Sequence, residues 1–204
     1  MTAEPSAAHD SEPGIRLPVP PPEGFTVDDL FTLPDLPPHT ELIDGSLAFV
    51  SPQRRFHDKV MELLVSGLRS TLPDNLSIER EMTVVLDRRN GPEPDISVVR
   101  SEAVTGFEQT RFKAEDLVLA VEVVSPDSEA RDHHSKPLKY ATAGIPHFWL
   151  VDMAEGNQHP VVRTYELDPV SRAYVLTGIH HDKLELAVPF DIDVDITLDA
   201  LRRL

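Results

Sequence analysis

The chain has 204 residues, with 19 lysines and arginines against 35 aspartates and glutamates, and its formal net charge is −16. This negative charge excludes the class of nucleic-acid-binding proteins that bind through a high net positive charge. The absence of cysteine excludes disulfides, thiolate catalysis and thiolate zinc sites. An apolar fraction of 40% is sufficient for a folded core, and no apolar run is long enough to span a membrane.

The N-terminal segment, residues 1–24, holds six of the 19 prolines, and we predict that it is a disordered tail. A passive solubilising extension is the simplest role for it. The remaining residues, 25–204, have a length typical of a single domain. Because the chain starts without a basic segment followed by an apolar stretch, we expect no secretory signal and a cytoplasmic protein.

Turn signals and hydrophobic spacing predict strands and helices in the first half of this domain. Asp44-Gly45 between two apolar runs indicates a β-hairpin. Apolar residues at helical spacing, followed by Pro73, indicate an amphipathic helix. The predicted elements are a short helix capped by Thr26, hairpin strands at about 39–43 and 46–50, a helix over 54–72, and strands at about 77–87 and 95–99.

The second half contains the most apolar stretch, residues 117–125, whose β-branched content predicts a central strand buried on both faces. A helix over about 130–143 and a buried strand over 148–152 follow, which together imply a parallel crossover. The pattern therefore predicts a mixed α/β fold. Shorter strands near 161–166, 173–177 and 183–187 and a helical turn at 198–203 complete the predicted elements.

Glu122 is the most informative residue, because it lies inside the most apolar strand. A buried carboxylate loses its hydration at a substantial cost unless a cation or hydrogen-bond donors replace the water. One interpretation is a structural ion pair with a lysine or an arginine. The other is a functional carboxylate.

Two further residues gain meaning from their positions relative to Glu122. Asp95 follows Pro94 at the start of a predicted strand, although Pro-Asp alone is also common in turns. Lys136 lies on the helix after the strand of Glu122, with Tyr140 four residues on and on the same helical face. A single lysine on a helix is usually solvated, so neither residue identifies a site by itself.

Taken together, these residues resemble the signature of the PD-(D/E)XK nuclease superfamily. More closely, the chain resembles the Uma-type family of proposed bacterial endonucleases over roughly residues 25–190. Because several short motifs recur in the same order and spacing, the resemblance is specific. These motifs are Glu41-Leu42-Ile43-Asp44-Gly45, His57, Pro94-Asp95-Ile96, Glu122-Val123-Val124-Ser125-Pro126, Arg131-Asp132, Lys136 to Tyr140, and Gly144 to Asp152.

The resemblance implies a restriction-endonuclease-like fold, with a central mixed sheet flanked by helices and an N-terminal hairpin. It also implies an endonuclease that hydrolyses DNA phosphodiester bonds with Mg²⁺, or with Mn²⁺ as a substitute. Asp95, Glu122 and Glu41 are then the metal-binding carboxylates. Lys136 completes the predicted catalytic set, where it would orient or deprotonate water and stabilise the phosphate in the transition state.

The chain departs from the superfamily pattern at one position. The final motif, Asp/Glu–x–Lys, would place a lysine at residue 124, where this chain has Val124. In the resembled family the lysine is displaced to the following helix, which favours Lys136. Lys139 is a competing candidate that matches the family position less well.

Four other side chains are secondary candidates. His57, in the first turn of its helix, either lies near the cleft or has a capping or packing role. Arg54 and Arg55 at the same helix start either contact phosphates or are simply solvated. Tyr140 is interpreted as a core or cleft-wall residue.

Two alternatives to a DNA endonuclease stay open. The acidity is compatible with a non-catalytic protein that keeps the nuclease fold as a binding or assembly module. Carboxylates and a lysine also suit a metal-dependent hydrolase of another phosphate ester, such as a nucleotide. Because nucleases that cut both strands often use two sites related by a twofold axis, we expect a homodimer or a higher homo-oligomer.

Overall fold

The computed structural model describes residues 18–50, 52–154 and 158–204, so most of the predicted tail lies outside the described residues. The helices are α1 (Val27–Thr32), α2 (Arg55–Thr71), α3 (Lys136–Ala143) and α4 (Leu198–Arg202). The strands are β1 (Glu41–Ile43), β2 (Ser46–Ala48), β3 (Leu76–Arg80), β4 (Thr83–Val85), β5 (Ile96–Arg100), β6 (Arg111–Lys113), β7 (Leu117–Val123), β8 (His147–Met153), β9 (Pro160–Asp168), β10 (Ala173–His180), β11 (Lys183–Leu186) and β12 (Ile192–Asp195). Within the described ranges, no helix combines the length and hydropathy needed to cross a bilayer.

A six-stranded mixed sheet forms the centre of the fold, in the order β10-β9-β8-β7-β5-β3. Strands β7 and β8 run parallel, and the other neighbours in this sheet run antiparallel. The predicted mixed sheet, the parallel crossover and the buried central strand are therefore confirmed. The predicted hairpin is also confirmed, since β1 and β2 pair antiparallel around Asp44-Gly45.

Alternation along β7 divides the core between the two faces of the sheet. Val121 and Val123 pack with α2 and with the β11–β12 hairpin on one face. Ala120 packs on the opposite face, where Tyr140 of α3 lies in the same cluster. Side chains two residues apart on a strand lie on the same face of the sheet, so Glu122 shares the α3 face with Ala120. Its carboxylate therefore faces the helix that carries Lys136.

Helix α2 is held against β12 by a close contact that requires glycine. A Cβ atom at Gly67 would lie 2.4 Å from Cγ2 of Val194. The absence of a side chain at residue 67 therefore lets helix and hairpin approach closely. This contact fixes the helix whose first turn carries His57.

The predicted strand over 77–87 is wrong in one respect, because it is two strands. Glu81 adopts φ of 50° between β3 and β4, and its N–H donates to the carbonyl oxygen of Asp95 at 3.3 Å. After this break, β4 leaves the central sheet and pairs in parallel with β6. The ladder of the central sheet consequently ends beside Asp95.

The predicted helix over 130–143 is also divided. Residues Arg131–Ser135 form a π-helical turn, and the regular helix α3 begins at Lys136. π-Helical turns within helices are frequent at functional sites. This one places Asp132 and Lys136 within one network of side chains, described below.

Candidate active site

Asp95 and Glu122 are brought together by the register of two neighbouring strands. Ile96 at the start of β5 pairs with Val121 of β7. In an antiparallel ladder the next positions outward are Asp95 and Glu122, which come opposite each other where the ladder ends. Oδ2 of Asp95 accepts a hydrogen bond of 2.6 Å from the N–H of Val123, which ties the carboxylate to the end of β7.

Lys136 lies at the centre of a buried acidic cluster. Its Nζ atom lies 2.8 Å from Oε1 of Glu41, 3.0 Å from Oε2 of Glu122 and 3.3 Å from Oδ1 of Asp132. The three acidic residues are each 1% exposed and the lysine is 4% exposed. Three carboxylates therefore share one ammonium out of contact with water.

Tyr140 supplies a further donor to this cluster. It follows Lys136 by one helical turn, is fully buried, and donates its hydroxyl to Oε1 of Glu122 at 2.5 Å. The two oxygens of Glu122 are therefore held by different groups on α3. The sequence interpretation of Tyr140 as a packing residue is incomplete, because its hydroxyl orients the buried carboxylate.

Burial and the neighbouring charges together shift the pKa values of Glu122, Asp132 and Lys136. Burial, together with the charges of Asp132, Asp95 and Glu41, raises the pKa of Glu122 well above its usual value despite the attraction of Lys136. Burial likewise raises the pKa of Asp132. Burial alone would lower the pKa of Lys136, but the surrounding carboxylates outweigh it and raise that pKa well above its usual value. Lys136 therefore stays charged, and the carboxyl groups of Glu122 and Asp132 hold protons more tightly than in water.

Asp95 connects the buried cluster to a solvent-filled cavity. Its Oδ1 atom lies 2.9 Å from Nε2 of His57, and its side chain is 15% exposed. Burial alone would lower the pKa of His57, but the hydrogen bond and charge of Asp95 outweigh it and raise the pKa. On the open side, a cavity of about 410 Å³ is lined by Asp95, Glu81 and Glu93 among others. A hydrated cation can therefore reach Asp95 from this cavity.

Glu41 is held in place by the loop that leads to β5. Its Oε1 atom accepts a 2.9 Å hydrogen bond from the N–H of Glu93 and also contacts Lys136. Strand β1 and the Pro92-to-Asp95 segment are thereby joined at the cluster. The structure thus brings Glu41, Glu122 and Lys136 into direct contact, with Asp95 at the rim.

The remaining candidates lie outside the cluster. Arg54 and Arg55 are exposed at the start of α2. Lys139, the competing lysine, contacts the exposed Asp44 of the hairpin instead of the buried carboxylates. Because Lys139 does not contact the buried carboxylates, Lys136 is the better candidate for the lysine of the site.

Asp132 is the main residue that the candidate set from the sequence missed. It lies four residues before Lys136, so both side chains share one face of the helical segment. That spacing was the available signal, but an aspartate in a polar helix start usually indicates a solvated surface. Its burial became evident only from the packing of the π-helical turn against the sheet.

The resemblance implies a metal ion, which the side chains of this site would have to hold. Among the described residues, no group of three or more His, Asp or Glu side chains is arranged to hold a metal ion. Mg²⁺, however, usually binds through one or two carboxylates and keeps several waters. Within the described part of the chain, each oxygen of Asp95 and Glu122 has one hydrogen-bond or ion-pair partner, and a carboxylate oxygen accepts two. A two-carboxylate site therefore fits the donors present, and the excess negative charge favours a cation.

The chain matches one family model and a solved structure. The model of the Uma2 family, described as "Putative restriction endonuclease", matches residues 27–199. A crystal structure of a putative nuclease belonging to DUF820 from Anabaena variabilis is similar in fold, with a TM-score of 0.60 and 20% sequence identity over 88% of this chain and 93% of that chain. No curated protein matches the chain. Because the family model spans most of the sequence, the chain belongs to the Uma2 family of restriction-endonuclease-like proteins.

Proposed function

We propose that the protein is a divalent-cation-dependent endonuclease that hydrolyses DNA phosphodiester bonds at the site formed by Asp95, Glu122 and Lys136. The observation that carries the proposal is the buried Glu122 carboxylate, whose Oε2 lies 3.0 Å from Nζ of Lys136 beside a strand that presents Asp95. A purely structural ion pair needs one carboxylate for one ammonium, whereas here three carboxylates surround it. Membership of the family supports the same reaction.

Asp95 and Glu122 are the proposed ligands of Mg²⁺ or Mn²⁺. When bound, such an ion supplies an activated water and neutralises charge on the phosphate. Asp95 is accessible from the open cavity and Glu122 is not, so substrate and solvent approach from the side of Asp95. The role of Glu41 as a third ligand stays a prediction, and its contact with Lys136 also gives it a positioning role.

Lys136 acts in this proposal as a charged hydrogen-bond donor. Its raised pKa keeps the proton on Nζ, which makes the side chain a poor base towards water. A fixed ammonium is instead suited to stabilise the additional negative charge on the phosphoryl oxygens in the transition state. Glu41 and Asp132 hold the ammonium in place, and Tyr140 holds the carboxylate of Glu122.

His57 has a positioning role. Its Nε2 atom holds Oδ1 of Asp95, while the N–H of Val123 holds Oδ2. Two fixed oxygens restrict the rotation of the carboxyl group, which reduces the reorganisation needed when a ligand binds. We also propose, from the symmetry of duplex DNA, that two copies of the chain act together in cleavage of both strands.

The experiment that tests the function is cleavage of supercoiled plasmid DNA by the purified protein with Mg²⁺ or Mn²⁺. We expect nicking by the wild type, inhibition by EDTA, and a loss of about a hundredfold or more in Asp95→Asn and Glu122→Gln. Glu108→Gln is the matched control, because Glu108 is exposed, and it should cleave like the wild type. Equal cleavage by all variants would contradict the site assignment.

Two other outcomes point to the alternative functions. DNA binding without cleavage by the wild type would favour a non-catalytic binding module. Hydrolysis of nucleotides or other small phosphate esters, with DNA left intact, would favour a phosphoesterase that uses the same residues.

A further inference from the structure

A groove lined by positively charged side chains lies at the start of α2, beside the candidate active site. Its volume is about 460 Å³, and its lining includes Arg54, Arg55, Lys59 and Arg202. None of the described residues that line it is acidic, although acidic residues outnumber basic ones 35 to 19 in the whole chain. Such a local excess of positive charge in an acidic protein favours an anionic ligand.

The four cations come from two elements that are distant in sequence. Arg54 is the N-cap residue of α2, Arg55 and Lys59 belong to the first turns of this helix, and Arg202 belongs to α4. Phe56 also lines the groove and contributes an apolar surface. The packing of α4 against α2 therefore builds a continuous surface rather than isolated charges.

The two arginines at the helix start are available for an external partner. Across residues 18–50, 52–154 and 158–204, neither Arg54 nor Arg55 pairs with a carboxylate, and both are exposed. Nζ of Lys59 lies 2.9 Å from Oε2 of Glu62 and also donates to the backbone oxygen of Leu204 at 2.9 Å. A nitrogen of the Arg202 guanidinium lies 3.6 Å from Oδ1 of Asp199. The strongest unneutralised charge thus lies at the end of the groove nearest His57.

The groove continues towards the candidate active site. A second cavity of about 210 Å³ shares Arg54, Phe56 and Met153 with the first. It is also lined by His57 and by two acidic side chains, Glu129 and Asp152, of which Asp152 is paired with Arg163 and His133. His57 contacts Asp95 at 2.9 Å. A DNA strand whose phosphates contact the groove would therefore come close to His57, which holds the proposed metal-binding carboxylate of Asp95.

We propose that this groove holds the phosphodiester backbone of a DNA strand next to the bond that is cleaved. The inference rests on the proposed function, and it assigns the surface that positions the substrate. Guanidinium groups match the geometry of phosphate oxygens and bind them in pairs of hydrogen bonds. Because phosphate contacts carry no information about the base, the groove sets the register of the strand without selecting its sequence.

The test is binding of a fluorescently labelled DNA duplex, measured by anisotropy in EDTA over a series of salt concentrations, so that no cleavage takes place. We expect Arg54→Gln/Arg55→Gln to weaken binding about tenfold or more and to reduce the slope of log K against log salt by about two. Arg202→Gln should reduce the slope by about one. Thermal melting of each variant shows that it is folded.

Arg69→Gln is the matched control, because Arg69 is an exposed arginine on the same helix, about 21 Å along the axis from Arg55. Its affinity and salt slope should equal those of the wild type. Unchanged affinity and slope in the double variant, or no DNA binding by the wild type, would contradict the proposal that the groove binds DNA. Wild-type binding that depends on Arg54 and Arg55 but leads to no cleavage with Mg²⁺ or Mn²⁺ would support DNA binding by the groove and contradict the nuclease function.

Discussion

Nζ of Lys136 lies 3.0 Å from Oε2 of Glu122, although the lysine is on a helix and the glutamate is inside a sheet. Both side chains are almost completely buried, so neither charge has water to stabilise it. The stability of the fold and the chemistry of the site therefore depend on the same contact. Predictions about one can be checked by measurements of the other.

Lys136→Met should destabilise the protein by about 3–5 kcal/mol, because it leaves three buried carboxylates without their ammonium. The free energy of unfolding in urea at neutral pH measures this loss. The loss should shrink at pH 5, since carboxyl groups without a counter-charge take up protons there. Lys139→Met is the control on the same helix. Lys139 contacts the exposed Asp44, and we expect a cost below about 1 kcal/mol. Equal costs for the two variants would contradict the role of the cluster.

Tyr140→Phe should cost about 1.5–3 kcal/mol, because it removes a hydrogen bond to a buried carboxylate and leaves Oε1 of Glu122 without that donor. Urea unfolding measures the change. Combining it with Glu122→Gln in a double-mutant cycle should give a coupling energy that is clearly different from zero. Additive costs would show that the hydroxyl does not act through Glu122. Tyr174→Phe, which loses a bond to a backbone carbonyl, is the comparison for removal of a hydroxyl elsewhere in the core.

His57 should titrate above its usual value of 6.5 in the metal-free protein, and its pKa should fall in Asp95→Asn, because the hydrogen bond and charge of Asp95 no longer oppose the effect of burial. NMR titration of the imidazole ring in EDTA measures both values. Because the folded pKa is raised, His57 stabilises the protein fully below pH 6.5, and this contribution is lost as the pH rises through the folded value. The difference in unfolding free energy between wild type and His57→Gln should therefore fall over that interval. A difference that stays constant with pH would contradict the contact with Asp95.

Gly67→Ala should lower the stability by about 1 kcal/mol or more, because the added methyl group meets Val194 and the cost of overpacking exceeds the helix preference of alanine. Thermal melting measures the change. Ser66→Ala, at an exposed position of the same helix, should change stability by less than about 0.5 kcal/mol. Stabilisation by Gly67→Ala would show that α2 and β12 can separate without cost.

Much of the central sheet was predictable, because its strands carry their pattern locally. The apolar run of β7 and the Asp44-Gly45 turn are signals within a few residues, and both predictions are confirmed. The break at Glu81 was not predictable in the same way. A glutamate gives no local indication of a left-handed backbone, which here depends on a hydrogen bond to the distant Asp95.

The candidate site was predicted only in part, for a similar reason. Glu122 and Asp95 are indicated by their strands, and Lys136 by its place on the crossover helix. That Glu41 contacts Lys136 depends on packing between segments 95 residues apart. The groove of Arg54 and Arg202 likewise joins α2 and α4, which are far apart in sequence, so charges that look isolated along the chain become neighbours.

The parallel crossover between β7 and β8 has a consequence for how distant relatives of this chain are recognised. After a parallel strand, the chain must return along the face of the sheet, and α3 makes this return directly above Glu122. The position of α3 over the sheet therefore brings the ammonium of Lys136 to the carboxylate of Glu122. The number of residues between the two is not what determines this contact. Extra residues in the Pro126–Ser128 turn would lengthen the connection and leave the pair intact. Proteins with the same pocket can thus differ widely in the interval between glutamate and lysine, and a search that demands a rigid interval would overlook them.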